Sequence, residues 1–284
     1  MIVAVVSGSE VPKVRSALPT LFGLLIGLVS PCTVFGQNPS CSDADNVSWV
    51  KGGNYCLVIK TYQSSATVVS PTLYVVLHGD TSHGGSSTYH YATAARLAVA
   101  GRSNTVAVAM IRPGYYDDWW HTSSGNNYGR GDNATPENIA AIADAIQRLK
   151  AFHHAKRVIL IGHSGGATVA GVILGRYPNL AAGAVLVSCP CDYAARWAAR
   201  HISRSPRSQS PLDFVSGIPA GTQVVTVSGS ADTITVPELS KTYVAAITAR
   251  GLNARFVLIP GADHDAAFRD PEVVQAALNL GLPK

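Results

Sequence analysis

The stretch Val158–Gly171, VILIGHSGGATVAG, passes from a β-branched apolar run directly into glycines, with Ser164 held between them. The apolar run reads as a buried strand and the residues after Gly166 as a helix, so the glycines mark a strand-to-helix junction. A serine at such a junction sits in a tight turn with strained backbone angles. Only residues without bulk fit two positions to either side, which accounts for Gly162 and Gly166. The turn lifts the hydroxyl clear of the sheet and aims the first amides of the helix at whatever becomes bonded to it. A glycine turn of this kind also cradles phosphate in nucleotide sites. The spacing G-x-G-x-x-G and the lysine of a phosphate loop are both missing here.

Working outward, the same alternation recurs. Apolar runs at Thr72–Asp80, Asn104–Gly114, Ala181–Ser188, Gln223–Ser228 and Ala254–Pro260 read as strands, and a shorter one spans Tyr55–Gln63. Helical spacing fills Ser87–Gly101, Thr135–His153, the segment through Arg176, Val236–Arg250 and the stretch from Pro271. Continuous apolar strands separated by amphipathic helices pair in parallel, because each crossover helix covers a sheet face. The expected fold is therefore α/β, a doubly wound and mostly parallel sheet. Ligands gather at the carboxyl ends of the strands in such sheets.

A serine hydroxyl is a weak nucleophile until a base takes its proton. His264, in IPGADHDAAF, follows the last strand; Asp232, in TVSGSADTITVP, follows the strand before it. The order Ser164, Asp232, His264 is the chain order that G-x-S-x-G demands, with the carboxylate orienting the imidazole. Asp192, in CPCDY, is the competing acid. Asp263 and Asp265 are too close to His264 in sequence to reach its ring edge and read as loop caps, and His163 reads as packing. Charge developing on an attacked carbonyl needs fixed donors. The backbone N–H of Gly165 is one; the other falls in HGDTSHGG, at the N–H of Asp80 or its neighbour Thr81. The loop GYYDDWWHTSSGNNYGRGD leaves the same edge, so Tyr115, Tyr116, Trp119 and Trp120 are expected at the substrate pocket, with Asp117 and Asp118 available to a substrate ammonium. No metal or organic cofactor is implied.

With 284 residues, 47% hydrophobic and 14% charged, the chain suits one large core rather than a disordered or coiled-coil protein. Lys13 and Arg15 precede the apolar run Leu21–Val29, and small residues precede a cut at Gly36/Gln37: the layout of an export signal. Residues 1–36 are thus expected to be removed, leaving a single domain over 37–284, secreted or periplasmic. No stable membrane anchor is expected, since the apolar run is too short to span a bilayer. Loss of Glu10, Lys13 and Arg15 takes the formal charge from +5 to +4. The arginines of Arg196–Arg207 lack interleaved aromatic platforms and read as a solvated basic segment, so nucleic acid is not an expected partner. That segment belongs to a polar excursion over about 189–222, long enough for a small lid. Export permits disulfides; Cys41 with Cys56 is the expected pair, while Cys189 and Cys191 form a local bridge or stay as thiols.

From about Tyr55 onward the chain resembles the α/β-hydrolase superfamily. HGD, GHSGG, SGSADTITVP and PGADH resemble the small esterases and the prolyl-oligopeptidase-like or dienelactone-hydrolase-like enzymes. The resemblance implies Ser164 as nucleophile, Asp232 as acid and His264 as base. HGD departs from the glycine-rich HGGG of many lipases and esterases, and Ser164 departs from the cysteine of a dienelactone hydrolase. The expected activity is hydrolysis of carboxylic esters through an acyl-enzyme, on a small-molecule substrate. The alternatives are a serine peptidase taking short peptides, and a non-catalytic binding protein of the same fold.

Overall fold

The computed structural model describes residues 41, 44–63, 69–101, 104–203 and 206–282; the segment read as an export signal lies outside them. The strands are β1 (Trp49–Gly52), β2 (Tyr55–Gln63), β3 (Thr72–Leu77), β4 (Thr105–Met110), β5 (Arg157–His163), β6 (Gly183–Val187), β7 (Gln223–Gly229) and β8 (Asn253–Ile259). They form one eight-stranded sheet in the order β1-β2-β4-β3-β5-β6-β7-β8. β2 runs antiparallel to both β1 and β4, and every other pairing is parallel. This is the α/β sheet expected from the alternation of apolar runs and amphipathic helices.

The helices are α1 (Tyr91–Ala100), α2 (Pro136–Phe152), α3 (Gly165–Arg176), α4 (Tyr193–Ala198), α5 (Pro237–Ala249), α6 (His264–Arg269) and α7 (Pro271–Gly281). β3 and β4 are buried at every position, because helices cover both sheet faces. On one face Ile139, Ile142, Ile146 and Leu149 of α2 pack with α3 and with Tyr243 and Ile247 of α5. On the other, Leu97 of α1, Phe268 of α6 and Val273 and Leu280 of α7 form a second apolar layer. Local chemistry agrees with the boundaries: Thr135 accepts the Asn138 N–H at 3.3 Å, with Pro136 and Glu137 in the first turn of α2 and Lys150 in its last.

Strand β3 lies between β4 and β5, although β4 directly follows it in sequence. The order therefore reverses at β3, and a crevice opens beyond the carboxyl ends of β3 and β5. The HGD turn leaves one of these strands and Ser164 leaves the other.

Four elements do not show in the sequence pattern: β1, α4, the 3-10 helix that follows it, and α6. β1 has only four residues, too short to show a period. Its Gly52 approaches α2 so closely that a Cβ would strike the Ala141 carbonyl. The excursion after β6 contains α4 and a 3-10 helix over Pro211–Gly217. The cysteine pairing also differs from expectation. Cys189 and Cys191 are bridged, whereas the expected Cys41–Cys56 bond is not formed; the Cys41 thiol instead donates to the Tyr55 carbonyl at 3.2 Å. Among the described residues no helix is long and apolar enough to cross a membrane.

Candidate active site

Ser164 sits at the junction of β5 and α3 with φ 52° and ψ −119°, a left-handed conformation rare for a residue with a side chain. The neighbouring glycines are required sterically. A Cβ on Gly162 would stand 2.5 Å from the Ala167 backbone, and one on Gly166 would stand 2.5 Å from the His78 carbonyl oxygen. The turn is tied to the sheet by the Ser164 N–H, which donates to Val187 O at 2.9 Å.

His264 opens α6, just beyond β8, and Asp232 follows β7. The imidazole Nδ1–H donates to Asp232 Oδ2 at 2.9 Å and approaches Oδ1 at 3.1 Å. This contact assigns the proton to Nδ1 and leaves Nε2 with a lone pair. Asp232 is 3% exposed and also accepts the N–H groups of Ile234 and Thr235 at 2.9 and 2.8 Å. Burial alone would raise its carboxyl, but the hydrogen bonds from His264 and Thr235 outweigh it and hold the group below the usual carboxylate range. Ser164 and His264 both line one cleft of about 680 Å³, together with Gly79 and Asp80. The competing acid is elsewhere: Asp192 caps α4 by accepting the Ala195 N–H at 3.0 Å. Asp263 caps α6 by accepting the N–H groups of Asp265 and Ala266.

Among the described residues no acceptor within the chain engages the N–H of Asp80 or of Gly165. The Gly79 N–H beside them is occupied, donating to the Tyr89 hydroxyl at 2.5 Å. The Asp80 side chain is the unexpected member. Its carboxylate lies against the α-carbon of Gly165, where a Cβ would strike it. Arg112, at the end of β4 and 1% exposed at its side chain, holds Asp80 Oδ1 at 2.5 Å, and Asn133 Nδ2 donates to the same oxygen at 3.0 Å. Burial opposes the Arg112 charge, but the Asp80 carboxylate more than restores it and raises its proton affinity.

His163 does more than fill space. Tyr89, just before α1, accepts from Gly79 and so donates its own O–H to His163 Nδ1, at 2.7 Å. The other ring nitrogen of His163 then carries the hydrogen and donates to the His264 carbonyl at 3.1 Å. Ser188 Oγ donates to that same carbonyl at 3.2 Å. The ring stacks on Phe268 with centroids 4.8 Å apart. Burial pushes His163 down to about 3, so it stays neutral. His163, His264 and Asp265 offer ligand atoms within 4.8 Å of one another, but both His163 ring nitrogens are already engaged, with Tyr89 and with the His264 carbonyl. The grouping is a hydrogen-bonded brace, not a vacant coordination set.

The four aromatic residues expected at the pocket do not wall this cleft, although the later part of their loop does, through Tyr128, Gly129, Arg130, Gly131 and Asp132. Tyr115 is fully buried, with its hydroxyl 3.3 Å from Asp80 Oδ1. Tyr116 stacks on Trp120 at 4.8 Å, and Trp119 and Trp120 stand 63% and 74% exposed on a different surface. The cause is Asp117, which is buried and accepts from the N–H groups of Trp119 and His121 and from the His121 ring, turning the loop outward. Asp118 is taken by the Ser86 and Thr88 hydroxyls, so neither aspartate faces a substrate in the cleft. The far wall comes from the excursion after β6: Tyr193, Arg196, Trp197 and Arg200.

Comparison with known proteins places the fold and this geometry in context. The model of the Alpha/beta hydrolase family matches residues 74–223, more than half of the chain, and the chain belongs to that family. It is a hydrolase by that membership. No curated protein sequence matches it. The Est1E structure of Butyrivibrio proteoclasticus with ferulic acid bound is similar at TM-score 0.62 and 15% identity, covering 81% of this chain and 96% of that one. Esterase PF2001 of Pyrococcus furiosus gives TM-score 0.61 and 17% identity over 82% of this chain and 88% of its own. The acylaminoacyl peptidase of Pyrococcus horikoshii gives TM-score 0.61 and 12% identity over 81% of this chain, which spans only 39% of that peptidase. At these identities the likeness concerns the fold.

Proposed function

We propose that this chain is an exported serine hydrolase that cleaves carboxylic esters through an acyl-enzyme. The observation that carries this reading is the His264–Asp232 hydrogen bond of 2.9 Å, with His264 sharing one cleft with Ser164 on its left-handed turn. His264 Nε2 takes the hydroxyl proton as Ser164 Oγ bonds to the ester carbonyl carbon. Asp232 holds the imidazole in the tautomer that can do this and stabilises the imidazolium formed. The N–H groups of Gly165 and Asp80 receive the negative oxygen of the tetrahedral intermediate. His264 returns the proton to the departing alcohol oxygen, and the acyl group stays on Ser164. Water, deprotonated by the same nitrogen, then releases the carboxylic acid.

Esters are favoured over peptides because the acids available to a substrate ammonium are already engaged, Asp117 by His121 and Asp118 by the Ser86 and Thr88 hydroxyls. Export as a signal over residues 1–36 is supported by the layout of that segment and by the Cys189–Cys191 bridge, which suits an oxidising compartment. The test uses a fluorophosphonate probe with p-nitrophenyl acetate and an aminoacyl p-nitroanilide. Covalent labelling at Ser164, ester turnover abolished by Ser164→Ala, and little anilide cleavage are expected. Unlabelled protein, or full activity in Ser164→Ala, overturns the reading; dominant anilide cleavage replaces it with a peptidase.

A further inference from the structure

The wall that the excursion after β6 gives the cleft is cationic in a way that ester hydrolysis alone does not require. α4 begins two residues beyond Cys191, and its buried Tyr193 and Trp197 fix its orientation against the body. Arg196 lies on α4 and Arg200 in the turn just past its end, and both line the cleft. Arg269, at the end of α6, lines it as well. The Arg196 charge acts on Arg200 and repels it, so this placement opposes local stability.

Among the described residues none of these three guanidiniums forms an ion pair. Arg200 donates to the Ile234 carbonyl at 2.7 Å. Arg196 stands over the Tyr193 ring at 5.7 Å, and its Nε is buried with no acceptor. Burial first, and then the Arg196 charge, push Arg200 below the usual guanidinium range. The cleft's own acids do not offset this. Asp80 is neutralised by Arg112, Asp132 accepts the Arg207 and Ser208 N–H groups, and Asp265 lies 4.0 Å from His163. Guanidiniums present planar donor forks that match a carboxylate. Three guanidiniums lining one cleft without an acidic partner gain that partner when such a group enters.

We propose that the preferred substrate is an ester bearing a second, free carboxylate, which binds Arg196 and Arg200 with Arg269 across the cleft while its ester carbonyl lies at Ser164. This rests on the serine-hydrolase reading and names the substrate class for the same site. The reaction is unchanged: the ester bond breaks, water supplies hydroxyl to the acyl carbon, and the free carboxylate is a handle that takes no part in bond exchange.

The experiment compares matched esters by pH-stat at low ionic strength. Methyl hydrogen adipate against methyl hexanoate places the charge on the acyl side. 4-(Butanoyloxy)butanoate against butyl butyrate places it on the alcohol side. In at least one pair the anionic ester is expected to have a kcat/KM roughly tenfold or more above its neutral partner. That advantage should shrink as salt is raised. The Arg196→Gln/Arg200→Gln double variant should bring the ratio to about one, and the Arg196→Lys/Arg200→Lys variant should keep part of it. Neutral esters turned over as fast as or faster than both anionic ones would overturn the proposal, as would a preference unmoved by the double variant. Failure of all four esters together with no fluorophosphonate labelling of Ser164 would refute the hydrolase reading itself, and this proposal with it.

Discussion

The Arg112 guanidinium meets the Asp80 carboxylate at 2.5 Å in a site where Asp80 also lies against the α-carbon of Gly165. An uncompensated anion at that point would oppose negative charge gathering on a substrate oxygen held by the Gly165 amide. Arg112 cancels it from beneath, itself buried and further engaged by Asn133 Oδ1 at 2.8 Å.

Arg112→Met should therefore do two kinds of damage. Leaving the part-buried Asp80 without its partner is expected to cost about 1–3 kcal/mol of stability, read from the urea midpoint. Ester turnover should also fall. Asp80→Asn in the Arg112→Met background should recover part of both, because the stranded charge is gone. A double variant no better than Arg112→Met would show that the pair acts through packing and not through charge.

Asp232→Asn preserves shape but lets the amide favour the wrong imidazole tautomer on His264. Under the proposed mechanism kcat should drop by about 10⁴-fold, with the far-ultraviolet circular dichroism unchanged. Near-normal turnover would remove Asp232 from the catalytic apparatus.

Acid stability follows from the buried histidines. Burial pushes His90 and His163 each down to about 3, against an ordinary value of 6.5. Between those limits the unfolded chain binds the protons and the folded chain does not, so stability falls as pH falls from 6.5 towards 3. Each residue contributes a slope of about 1.4 kcal/mol per pH unit in that window and nothing above it. Replacing His163 with Gln should flatten the dependence, even though it lowers stability at neutral pH by removing the link to Tyr89. An unaltered slope in a pH series of chemical denaturations would contradict the assignment.

Gly162→Ala places a methyl 2.5 Å from the Ala167 backbone, where neither neighbour is a flexible side chain. The expected loss is about 1–3 kcal/mol from overpacking, with turnover reduced because the first turn of α3 must shift. Gly84→Ala serves as the contrast: no atom lies near its added methyl, and the cost there is only that of a positive φ.

Much of this architecture was legible because it obeys short-range rules. Parallel strands buried on both faces leave unbroken apolar runs, and the glycines around Ser164 are demanded by backbone contact. What escaped depended on long-range direction. The aromatic loop leaves the expected edge, but the bracing of Asp117 by His121 turns Trp119 and Trp120 away, and no local pattern encodes which side a loop takes. Arg112 and Tyr89 belong to no local motif that would single them out. Their roles arise from partners 32 and 74 positions away. The cationic stretch around Arg196 has the sequence of a solvated surface segment, because charge spacing says nothing about a cleft beside it.

The brace running from Gly79 through Tyr89 and His163 to the His264 carbonyl joins the turn that would receive an oxyanion to the loop that carries the base. Donor and base thus share one keel: displacement of either end is transmitted to the other through a single phenol and a single neutral ring. Drift in one loop during divergence would have to be matched in the other, so these two surface segments should change in concert while the arginine wall varies independently of them.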